Sequence, residues 1–226
     1  YMLNNLKILL GKSFNPAVGF RNSLIISIGS TALAVYFSSL TAYALVAYDW
    51  KLRQPFFSFI MCVMMIPAQV TTIGFYQMVY KIGMTNHLSM LILPAIASPT
   101  MVFFMRQYLQ PTLSMEIVQS ARIDGAKEFM IFNRIVLPIM KPAIATQAIF
   151  SFVSSWNSLF TPLVLLTDQK KYTMPIMVSL LRGDIYKTEY GSVYLGLSLT
   201  VLPLIAVYLL LSKYIIAGVA LGGVKG

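Results

Sequence analysis

The chain has 226 residues, of which 58% are hydrophobic and only 11% are charged, and its mean hydropathy is +0.74. Soluble domains carry about a quarter charged residues, so this composition excludes a water-soluble domain and indicates an integral membrane protein. The formal net charge of +10 fits basic loops beside anionic lipid headgroups, because no basic stripe with interleaved aromatic residues indicates nucleic-acid binding.

Residue types that carry out chemistry are scarce in this sequence. Cys62 is the only cysteine, which excludes an intrachain disulfide, and His87 is the only histidine. The sequence contains no metal-ligand cluster, no Ser/His/Asp arrangement and no GxxxxGK or GxGxxG phosphate-binding pattern. We therefore expect no enzyme activity, no ATPase site and no metal or cofactor bound by the chain itself.

Five apolar segments are long enough to cross a membrane, which takes about 20 residues. The spans are expected at Ser23–Tyr48, Phe56–Tyr80, Leu88–Tyr108, Ile139–Leu166 and Val193–Ile216. Prolines lie inside the last four spans, at Pro67, Pro94, Pro99, Pro162 and Pro203. They predict kinked or broken helices, either near a substrate path or for ordinary packing.

Polar residues inside these spans are mostly uncharged, which argues against a proton pump or a voltage sensor. Uncharged hydrogen-bonding groups beside an aromatic ring suit a neutral polyol, and helix–helix hydrogen bonding is the alternative role. The candidates for a substrate path are Trp156, Asn157, Gln69, Thr72, Gln77 and Ser154. Trp156 and Asn157 are the leading pair, because an aromatic face stacks on a pyranose while an amide bonds its hydroxyls.

The segment from Pro111 to Pro138 is too polar to lie in lipid, and we expect two short helices around a turn at the membrane surface. Ser114 is the expected N-cap of the first helix, and Asp124-Gly125 predicts the turn, with a positive φ at Gly125. The residues expected to be exposed are Gln119, Ser120, Arg122, Asp124, Lys127 and Glu128. Docking of a soluble partner and plain interfacial anchoring both fit this pattern.

Positive charge does not decide the orientation of the spans. With the surface segment on the inside, nine Lys and Arg residues lie inside and eight lie outside, so the positive-inside rule barely discriminates. Five spans also place the two termini on opposite faces. Because the chain begins at Tyr1 with no signal peptide before its first span, we expect an upstream helix in the full protein.

The surface segment resembles the EAA motif of permease subunits in binding-protein-dependent ABC importers. That motif reads Glu-Ala-Ala, three residues, Gly, nine residues, Ile, one residue and Leu-Pro. The chain has Gln119-Ser120-Ala121, Gly125, Ile135 and Leu137-Pro138 at the same spacing. Gln119 replaces the usual Glu, so it keeps a hydrogen-bonding head but loses the charge for an ionic contact, and Ser120 replaces the usual Ala.

Over residues 15 to 226 the chain is similar to the carbohydrate branch of these permeases, in particular the second permease of maltose and oligosaccharide importers. The similar stretches are Asn22-Ser23-Leu24, Thr41-Ala42-Tyr43-Ala44-Leu45, Met65-Ile66-Pro67, Ala121-Arg122-Ile123-Asp124-Gly125-Ala126, Trp156-Asn157 and Gly222-Gly223-Val224-Lys225-Gly226. The resemblance implies an all-α, polytopic helix bundle of the type I ABC importer permease type in a prokaryotic plasma membrane. It also implies six helices in the whole subunit, the first of them missing here, and a cytoplasmic surface segment.

The resemblance further implies an organisation and a set of partners. Residues 1–22 would be extracytoplasmic, 23–217 would form the permease domain with its coupling loop at 111–138, and 218–226 would be a cytoplasmic tail. The partners would be a homologous second permease, two ATP-binding cassette ATPases that carry ATP and Mg²⁺, and an extracytoplasmic sugar-binding protein. The coupling residues would be Gln119, Ser120, Ala121, Asp124, Gly125, Ala126, Leu137 and Pro138.

The sequence fits more than one alternative at several points. The outer segment Asp168–Tyr190 is either a contact for the binding protein or a plain external loop, and the tail with Lys225 is either an ATPase contact or a frayed basic end. The cargo is a sugar or another neutral solute. A stand-alone secondary carrier would require inverted repeats and carboxylates in the spans, and the sequence has neither. A membrane transferase would require acidic pairs or metal ligands, and Asp124 with Glu128 has no third ligand.

Overall fold

The computed structural model describes residues 15–181 and 190–223, together with Leu3, and the side chains of Gln69 and of residues 214–223 are outside that description. Three expectations therefore fall wholly or partly outside the described residues. They concern the extracytoplasmic segment 1–22, residues 182–189 of the outer segment and the end of the tail with Lys225. The described ranges contain helices, turns and irregular connections and no β-strand, which confirms the predicted all-α class.

The helices are numbered here in chain order. They are α1 Pro16–Ala47, α2 Arg53–Met64, α3 Ala68–Lys81, α4 Ser89–Ile92, α5 Pro99–Thr112, α6 Met115–Ile123, α7 Glu128–Ile131, α8 Leu137–Ile139, α9 Lys141–Trp156, α10 Phe160–Leu165, α11 Met174–Leu181 and α12 Tyr190–Gly223. A 3-10 turn, Leu93–Ile96, follows α4, and a π-helical turn, Phe132–Val136, joins α7 to α8. A second 3-10 turn is formed by Gln169–Lys171.

Among the described residues, three helical stretches are long and apolar enough to cross a membrane: Pro16–Ala47, Ser89–Thr112 and Tyr190–Lys213. They coincide with the first, third and fifth predicted spans. With 32 residues, α1 is about 48 Å long and exceeds the roughly 30 Å of a hydrocarbon core. Only 6% of the most apolar window of Tyr190–Lys213 is buried within the chain. A surface this apolar is stable against lipid or another membrane helix and unstable in water.

The second predicted span is broken at its proline, as the sequence predicts, and the fourth has different bounds from those predicted. Phe56–Tyr80 is divided into α2, of 12 residues, and α3, of 14 residues, because Pro67 lacks the backbone N–H that a continuous helix requires. The helix within the fourth predicted span is α9, Lys141–Trp156, which ends ten residues before the predicted end at Leu166. It meets the helical segment Glu128–Ile139 at a bend of 79°. Pro142 explains the bend, since its ring clashes with the carbonyl four residues before it.

The chain divides into two compact units. Unit 1 contains Tyr1–Thr31, Thr72–Leu93 and Ser151–Leu210, and unit 2 contains Ala32–Thr71, Pro94–Phe150 and Leu211–Gly226. The core of unit 2 includes eight described residues that are at most 1% exposed: Ala42, Met105, Leu109, Val118, Ile131, Phe132, Val136 and Met140. Val118 comes from α6, so the short surface helix is anchored in the core of its own unit by an apolar side chain.

Unit 1 is held by an apolar cluster and by a set of hydrogen bonds to α1. The apolar cluster consists of Met174, Met177, Val178, Leu181 and Val193. The Asn22 side-chain amide donates to the backbone carbonyls of Lys170, at 2.9 Å, and Tyr172, at 3.0 Å. The Ser23 hydroxyl accepts a hydrogen bond from the backbone N–H of Met174 at 2.9 Å. The connection before α11 is therefore fixed to the start of α1.

Candidate functional site

The turn after α6 has the geometry that the sequence predicts. Gly125 has a φ of +81°, and its N–H donates to the Arg122 carbonyl at 3.0 Å. The N–H of Ala126 donates to the Ala121 carbonyl at 3.0 Å. These two bonds form a Schellman motif, which satisfies the last carbonyls of a helix and requires a left-handed residue. The positive φ predicted at Gly125 is confirmed.

The start of α6 differs from the prediction in one respect. Ser114 occupies the N-cap position with an extended backbone, φ −73° and ψ 121°, but its side chain makes no capping hydrogen bond. The predicted side-chain cap is therefore wrong. Glu116 lies in the first turn as expected, where a carboxylate interacts favourably with the positive end of the helix dipole. The helix start is thus favoured by charge and by the burial of Val118 rather than by Ser114.

Four of the six residues that were expected to be exposed are exposed: Gln119, Ser120, Asp124 and Lys127. The expectation is wrong for Arg122 and Glu128, which are half-buried. The reason is that these two side chains bond to each other. Arg122 Nε donates to Glu128 Oε1 at 2.6 Å, and Arg122 Nη2 donates to Glu128 Oε2 at 3.3 Å.

Two tyrosines complete a network around the Glu128 carboxylate. Glu128 Oε2 accepts hydrogen bonds from the hydroxyl of Tyr48 and, at 3.2 Å, from that of Tyr43. The Arg122 guanidinium lies over the Tyr48 ring, 5.4 Å from its centroid. The hydrogen bond to Glu128 raises the pKa of Arg122 further above its usual range. Burial, assisted by the Glu128 contact, raises the pKa of Tyr48, so the phenol stays neutral and donates.

A shallow groove of about 420 Å³ runs along the exposed side of α6. It is lined by Glu116, Ile117, Ser120, Ala121, Asp124 and Ile135. Its edges carry carboxylates, and its walls are apolar. Three large apolar side chains of the same region are also exposed, Ile123 at 86%, Phe129 at 68% and Met130 at 44%. Exposed apolar groups beside polar ones are typical of a surface that binds another protein.

The helical segment after the turn leads into the bent span. Leu137 is half-buried, whereas Pro138 is exposed. Both line a second groove, of about 440 Å³, together with Ala32, Val35, Tyr36, Asn133, Lys141 and Ile144. The Asn133 side chain accepts a hydrogen bond from the Tyr36 hydroxyl at 3.4 Å and donates to the Phe129 carbonyl at 2.8 Å. The last residues of the motif-like segment thus lie against α1 within unit 2.

Trp156 and Asn157, the leading candidates for the substrate path, lie at the end of α9 and differ in exposure. Asn157 is exposed, and its backbone N–H still bonds to the Val153 carbonyl at 3.0 Å. Trp156 is 1% exposed, and its indole N–H donates to the Thr200 carbonyl at 2.9 Å. Its ring stacks on Phe152, with centroids 5.8 Å apart and planes at 13°. In this conformation a protein side chain covers one face of the indole that was expected to stack on a sugar.

The other four path candidates are distributed over α3 and α9. Ser154 and Gln77 are exposed, and Thr72 is half-buried. Gln69 belongs to α3. In unit 1, Ser154 and Asn157 lie three residues apart at the end of α9, which places them on the same side of the helix. The structure therefore brings these two candidates together, and their contact with a substrate stays a prediction.

Sequence reasoning missed a set of bonds made by Asn86. This residue has a φ of +62°, and its side-chain oxygen accepts from the backbone N–H groups of Thr167, at 3.2 Å, and Asp168, at 3.1 Å. Its backbone carbonyl accepts from the Lys171 ammonium at 2.6 Å. One sequence feature could have indicated this role: Asn86 lies in a polar connection, and asparagine adopts a positive φ more often than most residues.

The described fold is that of an ABC importer permease. The structure is similar to a chain of a bacterial ABC transporter involved in the import of the acidic polysaccharide alginate. The TM-score is 0.79, the sequence identity is 22%, and the match covers 93% of this chain and 78% of the other. A likeness at this identity shows the fold and leaves the cargo to other observations.

Sequence comparisons establish the family. The sequence model for binding-protein-dependent transport system inner membrane components matches residues 34–220. The chain is 39% identical to the arabinooligosaccharides transport system permease protein of Halalkalibacterium halodurans, over 92% of this chain and 74% of that protein. It is 34% identical to the melibiose/raffinose/stachyose import permease protein of Bacillus subtilis, over 92% of this chain and 75% of that protein. The chain belongs to this family of ABC importer permeases and is a multi-pass inner-membrane component, as its motif predicts.

Proposed function

We propose that this chain is the permease subunit through which an ATP-driven importer moves a neutral sugar or oligosaccharide. The two relatives described above are named for arabinooligosaccharides and for melibiose, raffinose and stachyose. The exposed polar residues at the end of α9, Ser154 and Asn157, are uncharged. Uncharged donors and acceptors bond sugar hydroxyls without the desolvation cost of a buried ion. Both observations favour a neutral sugar over an ionic cargo.

The chain works in this proposal with four other subunits and a supply of ATP. The family description names a binding-protein-dependent system, which supports an extracytoplasmic sugar-binding protein as the donor of the cargo. Uptake against a gradient requires an energy source. We assign it to two cytoplasmic ATPase subunits, which carry ATP and Mg²⁺, and we assign the other half of the membrane path to a homologous second permease.

The observation that carries the coupling assignment is the rigid turn at Gly125. The Schellman bonds fix the end of α6, and Val118 anchors the helix in the unit 2 core. Gln119, Ser120 and Asp124 remain exposed, and we name these three residues the docking surface. A preorganised surface loses little conformational entropy when a partner binds. We propose that the ATPase subunits dock here, on the cytoplasmic face.

The other motif residues shape this surface and connect it to the membrane. Ala121 is half-buried and lines the groove beside the docking surface, so a larger side chain there would fill the groove. Gly125 and Ala126 form the turn, and Leu137-Pro138 begins the last turn before the 79° bend. In the proposed cycle, ATP draws the two ATPases together, and each docked turn moves with its ATPase as a rigid body.

Trp156 has a different proposed role from Asn157. Its ring is buried against Phe152 and Phe20, and its N–H is bonded to Thr200. These contacts support Trp156 as the residue that holds the end of α9 in place, so that Asn157 faces the path. Sugar stacking on Trp156 would require a second conformation in which Phe152 or Phe20 moves away. For Gln69, Thr72 and Gln77 on α3 we retain the proposal of weaker path contacts.

The test is isolation of the tagged full-length subunit from its native membrane in a mild detergent. Recovery of a second permease and an ATPase subunit is the expected result. Those complexes, placed in liposomes, should hydrolyse ATP faster when the binding protein is loaded with its sugar. Arabinooligosaccharides, raffinose and maltodextrin are the first cargoes to test. Recovery of the chain alone, under conditions that keep other ABC complexes intact, would contradict the proposed partners.

Two tryptophan substitutions test the docking surface without altering a buried contact. Ser120 is exposed beside the groove, so Ser120→Trp should block ATPase recovery and uptake while the chain still inserts. Ser114 is also exposed and makes no capping bond, so Ser114→Trp is the matched control and should leave ATPase recovery intact. Equal ATPase recovery with both variants would place the docking surface elsewhere.

A further inference from the structure

The Glu128 carboxylate on α7 bonds to α6 and to the end of α1, all within unit 2. Glu128 begins the helical segment after Gly125, and Arg122 lies in the last turn before it. The salt bridge therefore spans the turn. Tyr43 belongs to the last turns of α1, and Tyr48 follows the end of that helix. Both hydroxyls bond to the same carboxylate oxygen, so the turn is tied to the end of α1.

The surroundings of Glu128 set this network apart from an ordinary surface ion pair. An exposed ion pair contributes little, because water screens it and both side chains lose freedom. Here the Glu128 side chain is 44% exposed and that of Arg122 is 34% exposed, while Tyr43 is only 2% exposed. The carboxylate accepts four charge-assisted hydrogen bonds from three side chains, and such bonds are about twice as strong as neutral ones.

The packing of the two tyrosines fixes the direction of these bonds. The rings of Tyr43 and Tyr48 meet edge to face, with centroids 5.6 Å apart. Tyr43 also stacks on Phe132, at 5.8 Å and 29°, and Phe132 is 1% exposed. A displacement of Glu128 must therefore break its bonds to the tyrosines or carry the end of α1 with it. Packed cores favour the second outcome, since they do not deform continuously.

We propose that Glu128 is a positioning residue that passes movement of the docking surface to the end of α1, through Tyr43 and Tyr48. Arg122 fixes the orientation of the carboxylate for this role. The inference rests on the proposed ATPase docking and adds the connection by which that docking reaches a membrane span. It predicts that loss of the connection separates ATP hydrolysis from transport and leaves subunit assembly unchanged.

The test uses the complete importer in liposomes, and its readout is sugar taken up per ATP hydrolysed. The variants are Glu128→Gln and the double substitution Tyr43→Phe/Tyr48→Phe. Both should keep the ATPase subunits bound and hydrolysing ATP. Both should lower uptake per ATP by about tenfold or more, because each loses at least the equivalent of one charge-assisted hydrogen bond. Asp49→Asn removes the same charge from a side chain that is 96% exposed. It is the matched control and should leave the ratio unchanged.

A charge swap tests whether coupling needs the tyrosine bonds to the end of α1 or only the salt bridge that spans Gly125. Arg122→Glu/Glu128→Arg, made together with Tyr43→Phe/Tyr48→Phe, restores an ion pair across Gly125 and leaves no hydroxyl to bond it. The tyrosines are replaced as well because, in the swap alone, the guanidinium could still donate to the tyrosine oxygens. We expect this combined variant to remain uncoupled. Recovery of normal uptake per ATP by the combined variant would overturn the role of the tyrosines. Wild-type ratios in both first variants, or loss of ATPase subunits from them, would overturn the positioning role. Absence of ATPase from the wild-type complex would instead refute the proposed function.

Discussion

The indole N–H of Trp156, at the end of α9, donates a hydrogen bond to the backbone carbonyl of Thr200, inside α12. Thr200 lies three residues before Pro203, which has no N–H to donate to the carbonyl of Leu199, the residue before Thr200. The side chain of one helix thus bonds to the backbone of another next to a proline. In a membrane span such external bonds matter, because lipid offers no replacement partner.

Replacement of Trp156 by Phe should lower the stability of unit 1 more than the same change at the only other tryptophan. Trp156→Phe removes a buried hydrogen bond and leaves a void, which together cost about 1–3 kcal/mol. Trp50 is 38% exposed, and its N–H contact to Ala44 is 3.4 Å long, so Trp50→Phe should stay within about 0.5 kcal/mol of wild type. Thermal unfolding in detergent measures both, and equal shifts would contradict the importance of the Thr200 bond.

Substitutions at Gly125 should impair transport according to how well the new residue tolerates a positive φ, and not according to its size. No atom lies within 4 Å of a Cβ built at Gly125, so there is room for a side chain. The φ of +81° tolerates asparagine and strains a β-branched residue. Gly125→Asn should therefore retain transport, whereas Gly125→Val should lose most of it by distorting the turn. Gly125→Asp tolerates the same backbone angle but adds a second carboxylate beside Asp124 in the docking surface. We expect this added charge to abolish uptake while insertion stays intact.

Uptake and membrane insertion are measured together for these variants. A blot of the membrane fraction confirms insertion, and labelled sugar measures transport. If Gly125→Val transported as well as Gly125→Asn, the left-handed turn would not be needed for coupling.

Asn86 should control the exchange of two backbone amides in the connection before α11. Its side-chain oxygen accepts from the N–H groups of Thr167 and Asp168. Asn86→Asp keeps an acceptor and should preserve their protection from hydrogen exchange. Asn86→Gly keeps the positive φ without strain but loses the acceptor, and Asn86→Ala adds strain to that loss. Protection of both amides should fall in the Gly and Ala variants, with the Ala variant least stable, and equal protection in all four proteins would show that the bonds are unimportant.

Two glycines of unit 1 should respond in opposite directions to alanine. A Cβ at Gly19 would lie 2.6 Å from the Met174 sulfur, whose side chain is 0% exposed. The buried methionine has little room to move, so Gly19→Ala should destabilise the chain by about 1–3 kcal/mol. A Cβ at Gly74 would meet nothing within 4 Å. Gly74→Ala in α3 should be neutral or stabilise the helix by up to about 1 kcal/mol. Unfolding temperatures in one detergent compare the two, and matching shifts would contradict this packing argument.

Much of the architecture follows from local sequence rules. Long apolar runs predict α1 and α12, because a single segment in lipid can bond all its backbone N–H and C=O groups only as a helix. Gly125 after Asp124 fixes the turn, since few other residues adopt a positive φ. These features depend on residues that are neighbours in sequence. The extent of the breaks at Pro67 and around Met140 was less predictable, because the composition there is helical throughout and a proline allows either a mild kink or a full break.

The site was less accessible to sequence reasoning. The pattern correctly indicated an exposed Gln119, Ser120 and Asp124, because polar residues of a short helix face water. It placed Arg122 and Glu128 at the surface for the same reason. Their true surroundings depend on Tyr43 and Tyr48, which lie about 80 residues earlier in the chain and reach Glu128 only in the folded unit. Charge alone does not reveal a partner so far away in sequence.

The π-helical turn Phe132–Val136 gives this part of the chain an unusual sensitivity to its own length. A π turn accommodates one more residue than an α turn between the same two ends. Deletion of one residue between positions 132 and 136 would therefore be expected to restore α-helical winding rather than break the helix. Every later side chain of that segment would then turn by about 100° around the axis. The extra residue thus sets the rotation, around the helix axis, of the side chains after the surface turn relative to those before it.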